Sequence, residues 1–167
     1  MYTHVKDFVA DWQQESSGTA KLMHALTDPS LSQAVTQNDR TLGRIAWHIV
    51  LSLPEMIGRT GLIMKGLSEH APLPSSAAVL ASAYDGAAAE LVSLVQSSWT
   101  DATLAIEDDM YGMKWARGLT LQVLQRHEIH HRGQMTVLMR QAGIAVPGVY
   151  GPSREEWAGL GMPVPEI

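Results

Sequence analysis

Apolar residues recur at helical spacing along most of the chain. Between residues 5 and 27, Val5, Phe8, Val9, Trp12, Leu22 and Leu26 mark one face of a first helix. Thr27-Asp28-Pro29-Ser30 breaks it, because a proline pushes its predecessor out of helical geometry. A second helix is predicted from Asp39 or Thr41, both good N-caps, through Leu42, Ile45, Ala46, Trp47, His48, Ile49, Val50, Leu51 and Leu53. Pro54 should kink it, with helicity resuming through Met56, Ile57, Leu62 and Ile63. Ala71-Pro72-Leu73-Pro74 reads as a linker, and Ser75 or Ser76 caps an alanine-rich third helix ending near Ser97. Residues 100–116 show no period and read as irregular. A fourth helix is expected from near Leu119 to Gly143, where glycine suits a C-terminal cap. The tail after Pro147 is rich in Gly and Pro, with one helical turn around Glu155-Glu156-Trp157.

Four such helices and no convincing strand predict an all-α fold, a four-helix bundle with an irregular segment between helices 3 and 4. The 167 residues suit one domain, with a bundle core over about 5–143 and a tail over 144–167.

Composition narrows the function. Charged residues make up 17% of the chain, below the average of about 25%, which leaves room for an apolar interface between subunits. The net charge is −5 and the Lys and Arg are scattered, which argues against nucleic-acid binding. No run of 18 apolar residues suggests a membrane span, and the start, Met1-Tyr2-Thr3-His4-Val5-Lys6-Asp7, lacks signal-peptide character. The expectation is a cytoplasmic protein. There is no cysteine, which removes disulfides, thiolate metal sites and a cysteine nucleophile together. Histidine, with seven copies, is the reactive residue in surplus.

Arg126-His127-Glu128-Ile129-His130-His131-Arg132-Gly133-Gln134 concentrates that chemistry. His127 and His131, four residues apart, lie one turn apart on one helix face and can share a divalent metal. His130 is the alternative partner for His127. Leu124, Met135, Leu138 and Ala142 mark the buried stripe, and His127 and His131 fall on it with His130 beside it. Neutral imidazoles buried without partners cost free energy, and a metal would satisfy both. His48, inside the apolar run from Ile45 to Leu53, is the best third ligand. Glu55, two turns further on, is a candidate fourth ligand, general base or partner of Arg59. Three neutral histidines suit zinc, nickel, iron or copper. Arg132 and Gln134 read either as donors supporting the site or as exposed residues, and His4, His24 and His70 as incidental. Gly133, costly inside a helix, suggests close packing there. Trp47, Trp99, Trp115 and Trp157 are read as core or interface residues.

His127-Glu128-Ile129-His130-His131 also matches the H-E-x-x-H signature of zinc proteases, in which Glu128 would be the general base. No histidine follows residue 131 to complete that site.

The stretch His127-x-x-x-His131-Arg132-Gly133-Gln134, with Leu138, Arg140-Gln141-Ala142-Gly143 and Pro147, resembles the last helix of the DinB/YfiT-like metalloenzymes. Thr41-Leu42-Gly43-Arg44-Ile45-Ala46-Trp47-His48 resembles their second helix. The resemblance implies a four-helix bundle with a divalent metal held by His48, His127 and His131. It further implies a homodimer and a small-molecule substrate, with a low-molecular-weight thiol such as mycothiol, bacillithiol or glutathione as cosubstrate. Two readings follow: a metal-dependent thiol transferase or hydrolase, or a non-catalytic metal-binding or stress protein on the same bundle. Neither involves nucleic acid or membrane.

Overall fold

The computed structural model describes residues 1–166. Its four helices are α1 (Val5–Ala25), α2 (Leu42–Gly58), α3 (Ala77–Ser98) and α4 (Arg117–Gln141). α1 packs on α3 and α4, and α2 packs on the same two. Of the helices consecutive in sequence, α2 and α3 are therefore neighbours, whereas α1 and α2, and α3 and α4, face each other across the bundle. Short loops make consecutive helices neighbours; here the long connections at 26–41 and 99–116 carry the chain across, and the one at 59–76 joins the neighbours α2 and α3.

The apolar period sets the helices. Phe8, Trp12, Leu22 and Met23 of α1, Ile49, Val50, Leu53 and Ile57 of α2, and Leu80, Tyr84 and Leu91 of α3 are all buried in one shared core. Thr41 caps α2, its Oγ1 accepting from the Arg44 amide at 3.2 Å. The α3 N-terminus borrows its cap from a distant loop: Asp28 Oδ1 accepts from the Ala77 amide at 2.7 Å. By length and composition α3 could cross a membrane, but its apolar face is buried in the bundle.

Three expectations need correction. Helicity does not resume through Leu62 and Ile63. Pro54 sits one turn before the end of α2, and the chain turns at 58–61 with Gly61 at φ 84°. Residues 107–116 are not irregular but form an antiparallel hairpin, β1 (Glu107–Met110) and β2 (Met113–Ala116). Its two-residue turn, Tyr111-Gly112, has φ of 59° and 80°, the left-handed pair that matches strand twist. Only Met110 of β1 is buried, so no alternating apolar pattern announced the strand. The tail's helical turn lies at Ala158–Leu160, just beyond the expected 155–157.

The buried face of α4 differs from the expected stripe. Leu121, Leu124, Glu128, Arg132, Met135 and Met139 form its centre, while His127 and His131 lie half-buried at the edge facing α2. Arg132 is 3% exposed and donates to Glu15 Oε2 at 2.6 Å, the Glu15 carbonyl at 2.8 Å and Thr19 Oγ1 at 3.2 Å. It also binds Tyr150 of the tail. Glu128 Oε1 accepts from Thr19 Oγ1 at 2.7 Å and the Tyr84 hydroxyl at 2.8 Å. Arg132 is thus neither exposed nor a partner of the histidines.

Glycine contacts test this packing. A Cβ at Gly118 would collide with the Tyr2 carbonyl oxygen, whereas one at Gly133 would meet nothing within 4 Å. Close packing therefore does not explain Gly133. Gly118→Ala should destabilise the protein by about 1–3 kcal/mol. Gly133→Ala should stabilise it by up to about 1 kcal/mol. Urea unfolding of both variants checks the pair, and equal midpoints would contradict the packing at Tyr2.

Candidate metal centre

His48 is carried by α2, flanked by the buried Trp47 and Ile49, and is half-buried itself. Its side chain crosses to α4, where His127 and His131 stand one turn apart. His48 Nε2 and His131 Nε2 each lie 3.1 Å from His127 Nε2. The ring centroids are 4.5–4.8 Å apart, edge to face. These three form the described residues' cluster of ligand atoms, all within 4.8 Å of one another.

The surroundings favour neutral rings with free lone pairs. Burial, then the neighbouring histidines, lowers His48 and His127 to about 4. Burial also lowers His131. Gln134 Oε1, which can only accept, lies 2.7 Å from His131 Nδ1, so the proton belongs on Nδ1 and the Nε2 lone pair is free. Gln134 Nε2 lies 3.3 Å from His130 Nε2, and His130 packs edge-on to His131. His127 Nδ1 is buried with no partner.

An all-nitrogen donor set fits a divalent transition metal. Two nitrogens about 2.0–2.1 Å from a shared ion stand roughly 3 Å apart when they subtend slightly more than a right angle. The 3.1 Å separations meet that requirement.

Two cavities open on the cluster. One of about 600 Å³ borders His131 and is lined by Val35, Ile45, Val137, Leu138, Gln134, Asp39 and Arg40. The other, of about 520 Å³, borders His48 and His127 and is lined by Leu51, Ser52, Glu55, Met56, Glu69, Tyr111 and Val123. Both lie in the size range of small-molecule sites.

Comparison with known proteins agrees with this architecture. The DinB family model matches residues 1–166. The chain belongs to the DinB family. It is 42% identical over 167 residues, the full length of both, to an uncharacterized protein, YrdA, of Bacillus subtilis strain 168. A DinB-like crystal structure from Bacillus cereus superposes with a TM-score of 0.86 at 43% identity, covering 90% of this chain and all of that one. A second, from Bacillus subtilis, shares the fold at a TM-score of 0.68 and 22% identity, over 86% of this chain and 96% of that one.

The other DinB residues singled out by spacing sort clearly. Glu55 lies outside the histidine cluster. It accepts from Arg59 Nε and the Tyr111 hydroxyl, both at 2.6 Å, and lines the second cavity. His4 and His24 are exposed beside Asp7 and Asp85, and His70 is exposed in a loop. Trp47 and Trp99 are core, whereas Trp115 and Trp157 are half-buried. Tyr111 was missed, since no sequence pattern marked the hairpin that delivers it.

Glu128 cannot serve as the protease-type base, because its carboxylate is turned towards α1 and α3. Burial raises it to about 7, against the lowering effects of Thr19, Tyr84 and Arg132. The folded protein therefore keeps a proton that the unfolded chain releases near its ordinary value of 4.5. The stabilisation is complete below about pH 4.5 and is lost as pH rises through about 7. Unfolding of metal-free wild type and Glu128→Gln at about pH 5 and 8 tests this, since the histidine contributions cancel. The variant should gain on wild type at the higher pH, by at most about 3 kcal/mol. Parallel pH profiles would refute the raised value.

Proposed function

We propose that His48, His127 and His131 hold a divalent metal ion and that the protein is a metal-dependent enzyme acting on a small electrophile, with a thiol or water as nucleophile. The observation that carries this reading is the meeting of three Nε2 atoms from two helices beside two cavities of ligand size. When bound, such a metal stabilises the deprotonated form of a thiol or water at neutral pH.

The chain's own residues do the rest. Gln134 fixes the tautomer and ring orientation of His131. Ser52 Oγ donates to the His48 carbonyl at 2.7 Å, within the turn that carries the histidine. Leu51, Met56 and Val123 give the His48 side an apolar floor, and Ile45 and Leu138 do so on the His131 side, limiting water around the histidines. The chain has no cysteine, so in the thiol reading the sulfur arrives with a low-molecular-weight cosubstrate.

Purified protein supplemented with zinc, nickel or iron should bind about one equivalent by elemental analysis. His48→Ala and His131→Ala should abolish tight binding. Gln134→Leu should weaken it roughly 10- to 100-fold, as loss of an outer hydrogen bond does elsewhere. A wild-type protein that takes up no metal would end the proposal. Thiol transfer to an electrophile panel, lost in His48→Ala, would then separate an enzyme from a protein that merely binds metal.

A further inference from the structure

The cavity on the His48 and His127 side has a chemical polarity that the histidines do not explain. Its remaining polar lining groups are Ser52, Glu55, Glu69 and Tyr111, with no Lys or Arg among the lining residues. The hydroxyl protons there are already committed. Ser52 donates to the His48 carbonyl, and Tyr111 donates to Glu55 Oε2 at 2.6 Å. What these groups still offer the cavity is lone pairs. Glu55 Oε1 is held by Arg59, whose guanidinium stacks 4.2 Å from the Tyr111 ring centroid, outside the cavity lining. Glu69 lies 3.4 Å from His70, which is exposed. The opposite cavity is different in kind, since it carries Arg40.

The placement of Tyr111 is costly. Among the described residues it is the non-glycine residue with a positive φ, 59°, at the hairpin tip. Asn, Asp and Gly are preferred there, and a bulky side chain in this region stores backbone strain. Asp109 Oδ1 braces the turn by accepting from the Gly112 amide at 3.1 Å. Trp115 supports the ring edge-on at 6.0 Å. Burial and Glu55 raise the phenol to about 12, so it keeps its proton at neutral pH.

We propose that this cavity binds an ammonium-bearing ligand, its cationic head held by Tyr111 Oη and Glu55 at the hairpin end and its other end reaching His48 and His127. An acceptor-lined wall with no free donor selects a ligand that donates, and a carboxylate beside it selects a cation. Glu55 is seven residues beyond His48 on α2, or about 10 Å along the helix axis. The ligand is therefore an elongated amine rather than a compact one. This inference rests on the metal reading only for the end of the ligand that meets the histidines.

The test uses cobalt(II)-loaded protein and three thiols of one length: aminohexanethiol, mercaptohexanol and mercaptohexanoate. Thiolate-to-cobalt charge-transfer absorption reports binding. The amine should half-saturate at about tenfold lower concentration than the alcohol, the gain expected from one charge-assisted hydrogen bond, with the acid weakest. Tyr111→Phe and Glu55→Gln should each remove that advantage while leaving the cobalt spectrum without thiol unchanged. No preference for the amine, or a preference that survives both substitutions, overturns the proposal. If cobalt is not taken up, the metal reading fails by itself. Titration of metal-free protein with hexylamine then decides: saturable NMR shifts at Gly112 and Trp115, lost in Glu55→Gln, support the amine site, and their absence refutes it.

Discussion

The buried ion pair between Arg132 and Glu15 sets the roll of α4, and the position of the histidines depends on that roll. The two groups meet at 2.6 Å with 3% and 12% of their side chains exposed. Burying such a pair demands that its remaining donors be satisfied, and the Glu15 carbonyl, Thr19 and Tyr150 satisfy them. Thr19 completes the lock by donating to Glu128 while it accepts from Arg132. One residue of rotation moves a side chain by about 100°. With Glu128 and Arg132 locked inward against α1 and α3, His127 and His131 have one place to go, the seam with α2. The H-E-x-x-H spelling is therefore split by the fold: its two histidines and its glutamate serve different faces.

The long connections between helices give the site its walls. A bundle with short loops would place consecutive helices side by side and leave the histidine seam bare. Here the segment after α1 contributes Val35, Asp39 and Arg40 to one cavity. The segments after α2 and α3 contribute Glu69 and Tyr111 to the other. Rigid helices hold the ligand atoms while loops define what can approach them, the usual division between scaffold and recognition.

Much of this was legible in the sequence where one period controls one element. Thr41 capped α2, Gly143 follows the end of α4 with φ 74°, and the four-residue spacing of His127 and His131 put them on one turn. The roll of α4 was not legible. Reading the apolar residues alone puts the histidines on the buried stripe, because such a reading takes no account of Glu128 and Arg132. Only their partners on α1, α3 and the tail, more than a hundred residues away for Glu15 and Thr19, make them interior. The hairpin was hidden because β1 carries three acidic residues before Met110, its one buried apolar residue: Glu107 and Asp109 are exposed, and Asp108 is tucked in only by its pairing with Arg117.

Charge decides what the centre asks of its ligand. Three neutral imidazoles leave the full charge of a divalent ion uncompensated, and the nearby carboxylates do not cancel it. Glu128 is turned away and burial favours its protonated form, while Glu55 lies outside the histidine cluster at the hairpin end of its cavity. Burial lowers all three histidines, and the charge of Arg40, lining the first cavity, lowers them further. In a cleft with apolar walls that charge is poorly screened. In the proposed function, an anionic donor at the ion, a thiolate or a hydroxide, would supply the missing negative charge. A ligand that also carries an ammonium group finds its complement only on the Glu55 and Tyr111 side. Under the two proposals together, the cavities would impose an orientation: the anionic donor at the histidines, the cationic end toward the hairpin, and Arg40 repelling the reverse arrangement.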